Sequence, residues 1–412
     1  MNAPPQSVLV VGASLAGLST ARALRAHGYA GRLTIVGDEL HRPYDRPPLS
    51  KEFLGSLDVP VDLALEAEGE ELDATWRLGS RAVGLRPRPD GGAEVRLGDG
   101  ETLSGERVVI ATGAAARCTL PGVGLPGVHL LRTLDDATAL RADLHAAVRS
   151  GRPVVVVGGG FIGSEVAATA RALGCAVTLV VPDDVPLRAA LGPYADVIGA
   201  LHSAHGVVVR AWARVTGVAL GAAGLEVALA DGPPIAAATV VLGIGAAPAV
   251  GWLAGSGLDL GPDGAGAIRC DESGETHLAG VFAVGDCAAW HSPGLGYHHQ
   301  IEHWTSAKER GAAVAARLLG AERIPTCRAP YVWSDLYGKK LQLAGYRDLA
   351  DHPDTVACTL ETGSVADGSF TAVYRRGAEP VAVLALDQAR QFAAVRRRLV
   401  NPLPALAEGA PA

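Results

Sequence analysis

Two glycine-rich strings carry the clearest chemistry. Positions 12–17 read GASLAG, with Gly12, Ser14, Leu15, Ala16 and Gly17, and positions 158–163 read GGGFIG, with Gly158, Gly160, Phe161, Ile162 and Gly163. Each follows an apolar run, SVLVV or VVVV, and opens a helical pattern, LSTARALRAHG stopped by Gly28 or SEVAATARAL stopped by Gly174. In that context the first glycine serves a tight turn, the middle one lets backbone approach a pyrophosphate, and the third lets helix pack on strand. The helix N-terminus then offers unpaired N–H groups and a positive dipole end to phosphate. Asp38 closes the next strand, RLTIVGD, 21 residues beyond Gly17, where an acid can grip a ribose hydroxyl. The second copy is less complete. Its strand AVTLVV ends at Val181, where an acid would stand, and Asp183 is the candidate substitute. Ser14 replaces the middle glycine of the first copy, so the two sites are not equal.

The elements that must position these loops are α/β. Runs at 106–113 (ERVVIATG), 239–248 (TVVLGIGAAP) and 280–288 (GVFAVGDCA) read as strands ending in glycine-rich backbone. Ala111, Thr112, Gly113 and Gly245 thus fall at strand ends, which in open sheets face the ligand. From about Ile324 the pattern changes to short strands with turns and a last helix around 390–399, a separate α+β domain. The expected fold is two Rossmann-like dinucleotide-binding domains of glutathione-reductase-like architecture plus a C-terminal α+β domain. The expected division is 1–117 for the first part of one dinucleotide domain, 118–246 for a second dinucleotide domain inserted into it, 247–322 for the first domain's second part, and 323–412 for the last.

Length and composition agree with this plan. A chain of 412 residues with 49% apolar side chains fills several cores, and a formal charge of −7 argues against nucleic-acid binding. The start, MNAPPQ, has no basic region before an apolar stretch, and the longest uncharged segment, 235–258, is broken by glycines and Pro248. The expectation is a cytoplasmic protein without a membrane partner. Six cysteines, at 118, 175, 270, 287, 327 and 358, are scattered without a C-x-x-C or a zinc-like grouping, so they read as reduced structural thiols and no metal site is expected. Lysine is scarce: four (51, 308, 339, 340) stand against 32 arginines.

With these motifs in order, the chain resembles the FAD-dependent NAD(P)H:ferredoxin reductases of bacterial oxygenase systems. The resemblance spans nearly the whole chain. It is carried by GASLAG, RPYDRPPLSKEFL (42–54), VVIATGA, LLRTLDDA, GGGFIGSEVAA, GIGAAP, VFAVGDCA, IEHWTSA and WSDLYG. It implies that GASLAG cradles the FAD pyrophosphate, Asp38 holds the adenosine ribose, and Arg46, Lys51 and Arg132 face the flavin or its phosphates. Val83 would touch the adenine side, Asp286 the ribitol chain, and Trp304 the isoalloxazine. Lys51 would stand near flavin N5 in an ion pair with Glu165, one turn into the second helix, and Phe161 would gate the nicotinamide. As a first-turn acid Glu165 could instead complement its helix dipole.

The resemblance also implies an iron-sulfur ferredoxin as acceptor. With no cysteine pair near the flavin, electrons must leave it directly. NADH is the expected donor and NADPH the alternative, since no arginine pair follows Asp183 to welcome a 2′-phosphate. An acidic ferredoxin needs a basic face, for which Arg310 with Arg317, Lys339 with Lys340, and Arg396, Arg397 and Arg398 are candidates. Rival readings are a reductase of another acceptor, such as rubredoxin or a small molecule, a redox sensor of the apoptosis-inducing-factor type, and a chain whose second nucleotide site is degenerate. Monomer and homodimer are both open.

Overall fold

The computed structural model describes residues 4–56, 59–222, 224–261, 266–293, 296–320, 329–346 and 357–399. Cys327, the expected boundary at 322–323 and the segment beyond 399 lie outside them.

Two five-stranded parallel sheets repeat one plan. In the first, Ser7–Val11 lies centrally, flanked by Arg32–Val36 and Arg107–Ile110, with Thr75–Arg77 and Val281–Ala283 at the edges. In the second, Val154–Val157 lies centrally, flanked by Val177–Val180 and Thr239–Leu242, with Val208–Arg210 and Val128–His129 at the edges. The central strands are unbroken valine and leucine runs because a parallel sheet is covered on both faces. Val8, Leu9, Val10 and Val11 are all buried, as are the four valines of 154–157.

Each sheet carries a three-stranded antiparallel meander inserted before its returning strand. Ala82–Pro87, Ala93–Leu97 and Thr102–Gly105 precede Arg107–Ile110, and Val215–Gly221, Gly224–Leu229 and Ile235–Ala237 precede Thr239–Leu242. Beyond the two returning strands, Ala114–Ala116 and Ala246–Pro248 pair antiparallel, so the chain passes between the two sheets along one double strand. The first sheet takes its edge strand Val281–Ala283 from beyond the second sheet. The C-terminal sheet is antiparallel, in the order Tyr331–Leu336, Lys339–Gly345, Glu379–Leu386, Ser369–Arg376, Ala357–Ser364, with the Ala389–Arg396 helix against it. Among the described residues no helix is long and apolar enough to cross a membrane.

Element ends differ slightly from the periodicity. The strand expected to reach Asp38 stops at Val36, and the second nucleotide helix begins at Phe161 rather than Ser164. Both shifts come from the glycine turn, whose backbone geometry sets the boundary before side-chain periodicity does.

Candidate functional site

The two glycine loops are nearly superimposable in design. Gly12 has φ +125° and Gly158 φ +103°, both in the region that favours glycine. A Cβ on Gly12 would lie 2.0 Å from the Ala111 carbonyl oxygen, and one on Gly158 would lie 2.3 Å from that of Gly243. Gly17 and Gly163 are equally constrained, since a Cβ there would strike the carbonyl oxygen of Gly12 or Gly158 at 1.9 and 2.0 Å. The outer glycines are thus required by the protein itself. The middle position is not: a Cβ on Gly160 would meet nothing within 4 Å. Its counterpart Ser14 therefore costs the fold nothing, and a glycine there answers to something outside the chain.

Both helices present bare N-termini. In Leu15–Ala26 the first intrahelical bond runs from Leu18 N–H to the Ser14 carbonyl, leaving the N–H groups of Leu15, Ala16 and Gly17 for a ligand. In Phe161–Ala172 it runs from Ser164 to Gly160, leaving those of Phe161, Ile162 and Gly163. Neither helix has a side-chain cap or an acid in its first turn. The Leu134–Ser150 helix, by contrast, is closed by a capping box in which Thr133 and Asp136 satisfy each other's backbone. Uncapped ends with room for phosphate fit two dinucleotides.

Around the first loop the structure gathers most of the expected residues. Arg46 pairs with Glu39 at 2.7 Å, donates to Tyr44 Oη at 3.0 Å and to the Arg132 carbonyl at 2.6 Å, and Arg132 pairs with Asp286 at 2.9 Å. These charges run as one chain from Glu39 to Asp286. Glu302 lies near it, its carboxyl pushed up by burial and then by Asp286, while burial pushes the neighbouring His303 down. Trp304 starts the Trp304–Leu318 helix, donates its indole N–H to Asp45 at 2.8 Å and meets Trp333 edge-on. Val83 occupies an irregular register between Ala82 and Gly84, a bulge that can turn its side chain off the regular face. Asp38 is exposed, 3.9 Å from Arg81. Thr112 donates its hydroxyl to the Ala249 carbonyl, and Gly113, at φ +67°, turns the chain beside Arg132.

Lys51 and Glu165 come together. Lys51 Nζ stands 2.9 Å from Glu165 Oε2 and 3.0 Å from the Pro47 carbonyl, and Glu165 is only 3% exposed. The helix starts at Phe161, so Glu165 sits beyond the first turn, pointing inward, and does not serve the dipole. Two partners were not legible in the sequence: Ser50 Oγ donates to Oε2, and Ser334 Oγ donates to Oε1 at 2.6 Å. The motif WSDLYG marked the segment of Ser334, but no spacing rule joins it to position 165.

The second site is barer. Phe161 is half-buried and Ile162 is exposed, and Gly245, at φ +102°, lies exposed at the end of the returning strand. Register aligns Val36 with Val11 and Val180 with Val157, which places Pro182, not Val181, opposite Asp38. Val181 is 1% exposed and packs in the core. Asp183 is exposed, and its carbonyl accepts from Trp212 N–H at 2.9 Å. The adjacent Asp184 is taken by Arg188, which holds its carboxyl below the usual range.

The basic candidates separate. Arg310 is 7% exposed and lies over the Trp290 ring, so it belongs to the interior and not to a docking face. Long arginine stems on a helix face are indistinguishable in sequence from solvated ones until the packing partner is known. Arg317 pairs with Glu275, and Lys339 with Asp387. Lys340 stands 3.8 Å from Asp335. Arg396 covers Tyr331, and Arg397 and Arg398 are exposed. Cys175, Cys270 and Cys287 are buried, and burial pushes their thiols up, away from the thiolate that a relay needs. Among the described residues no group of His, Cys, Asp and Glu is placed to hold a metal ion.

Residues 6–311 match the pyridine nucleotide-disulphide oxidoreductase model, and residues 331–407 match the reductase C-terminal model. The chain is 36% identical to the ferredoxin–NAD(+) reductase subunit of the benzene 1,2-dioxygenase system of Pseudomonas putida, covering 95% of this chain and 91% of that one. It is 34% identical to rhodocoxin reductase of Rhodococcus erythropolis, covering 98% and 92%. Among solved structures, the covalent putidaredoxin reductase–putidaredoxin complex matches at a TM-score of 0.85 and 30% identity, covering 96% of this chain and 94% of that one.

Proposed function

The chain belongs to the pyridine nucleotide-disulphide oxidoreductase family and is an FAD-dependent, NAD(P)H-oxidising ferredoxin reductase; within that activity we propose that Lys51 and Glu165 form the hydride-transfer site, that NADH is the donor and that the acceptor serves an oxygenase. When bound, FAD takes a hydride from the dihydronicotinamide and yields electrons one at a time to a one-electron acceptor.

The observation that carries this reading is the pair of half-buried Lys51 and buried Glu165 standing where the first site's proline-rich turn meets the second site's helix. It brings the two nucleotide sites into side-chain contact, and a direct transfer between two rings needs such sites to be adjacent. The N–H groups of Leu15, Ala16 and Gly17 hold the FAD pyrophosphate, Asp38 the ribose, and Val83 the adenine edge. Arg46 and Arg132, already neutralised by Glu39 and Asp286, position the ribitol and flavin end without leaving an uncompensated charge. Lys51 presents a cation held in place by the Pro47 carbonyl and Glu165, and Trp304 would lie beside the isoalloxazine. Phe161 gates the nicotinamide, and Asp183 holds the adenosine ribose of NADH.

Anaerobic mixing of the yellow protein with NADH tests the assignment. Lys51→Met slows bleaching of the flavin band about 10²-fold while FAD stays bound, the size seen when one preorganised electrostatic group is lost. Bleaching at the parent rate would remove Lys51 from the site. The acidic partner docks at Arg396, Arg397 and Arg398. Reversing Arg396 and Arg397 to glutamate slows ferredoxin reduction and flattens its salt dependence, with dye reduction unchanged. Unaltered ferredoxin kinetics would exclude that face.

A further inference from the structure

Three separately folded parts of the chain meet on one carboxylate. Glu165 comes from the second nucleotide helix, Ser50 and Lys51 from the turn around 47–51, and Ser334 from the edge strand Tyr331–Leu336 of the C-terminal sheet. Ser334 is fully buried, and its hydroxyl reaches Oε1, the oxygen that neither Lys51 nor Ser50 reaches. Its inward neighbour on the strand, Leu336, is an ordinary fully buried core residue. A hydroxyl in such a row must have a partner to offset its desolvation, and Glu165 is that partner.

The strand is also pinned just beyond Ser334. Tyr337 holds φ +54°, a strained conformation for an aromatic residue, and places its hydroxyl 2.8 Å from His202 Nδ1 with its ring stacked on His205 at 3.9 Å. Both histidines belong to the nucleotide domain's Asp196–Ala204 helix and its end. On the other side, Thr169 of the Glu165 helix donates its hydroxyl to the Ser50 carbonyl at 2.9 Å. The carboxylate is therefore fixed from two directions.

We propose that Ser334 is a positioning residue of the hydride-transfer site, through which the C-terminal domain sets the plane of the Glu165 carboxylate and hence the place of the Lys51 ammonium. The inference rests on the reading that this pair faces the flavin. It gives the C-terminal domain a part in hydride transfer as well as in partner docking. With Oε1 unheld, the carboxylate rotates about the Oε2 contacts and the ammonium follows it.

The test uses full-length holoprotein and five variants. Ser334→Ala slows anaerobic flavin bleaching by NADH about tenfold, the scale of a small misplacement of a reacting group, while FAD content and the Kd for NADH stay within about twofold. Ser334→Thr, which keeps the hydroxyl, restores most of the rate. In a Glu165→Gln background Ser334→Ala changes the rate by less than about twofold, because two residues acting as a unit are not additive. The reduction potential of the bound flavin, measured by dye equilibration, moves in the same direction in Ser334→Ala as in Glu165→Gln. A parent rate in Ser334→Ala, while Lys51→Met and Glu165→Gln are slow, overturns the inference alone, as does a lowered Tm with unchanged rate and potential. Parent rates in Lys51→Met and Glu165→Gln overturn the site reading and the inference together.

Discussion

The two glycine loops share their backbone and differ in everything attached to it. In both, the outer glycines are excluded from bearing a side chain by a carbonyl about 2 Å away, and in both the helix N-terminus is uncapped. Around the first loop, charges from three segments close in: Glu39 and Arg46, Arg132, and Asp286 form one connected chain. Around the second, Ile162, Asp183 and Gly245 stay exposed, and the residue opposite Asp38 is a proline. A motif of this kind specifies that a dinucleotide is held. Whether it stays or exchanges is decided by how many other segments reach it, which accords with a resident FAD and a transient NAD(P)H.

The sharpest way to break that comparison is to fill the two turns in parallel. Gly12→Ala abolishes FAD binding and gives colourless protein. Gly158→Ala keeps the yellow colour but is not bleached by NADH, since only the second sheet's turn is disturbed. Absorption spectra before and after anaerobic NADH check both, and a colourless Gly158→Ala would show that the two sites fold as one unit.

A smaller effect separates the two acids. Asp38→Ala loosens FAD, read as flavin lost on dialysis, whereas Asp183→Ala raises the Kd for NADH about three- to tenfold, one or two hydrogen bonds to a ribose. An unchanged Kd would leave the second site without an acid and favour the degenerate reading. The smallest effect is the most discriminating. Gly160→Ala meets no protein atom, so Tm holds or rises slightly through loss of unfolded-state entropy, while the Kd for NADH rises a few fold. A Kd equal to the parent's would mean that nucleotide never approaches that backbone.

Much of this was readable before any fold was known, because its signals are local. Val154–Val157, its glycine turn and its helix lie within 19 consecutive residues, and a turn between strand and helix has few backbone solutions. Glu165 and Lys51 lie 114 residues apart, and only a whole-chain resemblance linked them. Ser50 is not legible as a partner of Glu165, because a serine next to Lys51 carries no pattern of its own. The interior place of Arg310 is not legible in the sequence, because the helix face that looks solvated in a one-dimensional pattern packs against the Trp290 ring.

The amino-acid order by itself determined the two turns and the helices they open, since steric exclusion and residue chemistry act over a few bonds. Only the tertiary structure decided which side chains from 39, 132, 286 and 334 arrive at those turns, because such contacts depend on how sheets and helices pack against one another, and packing depends on the whole chain at once.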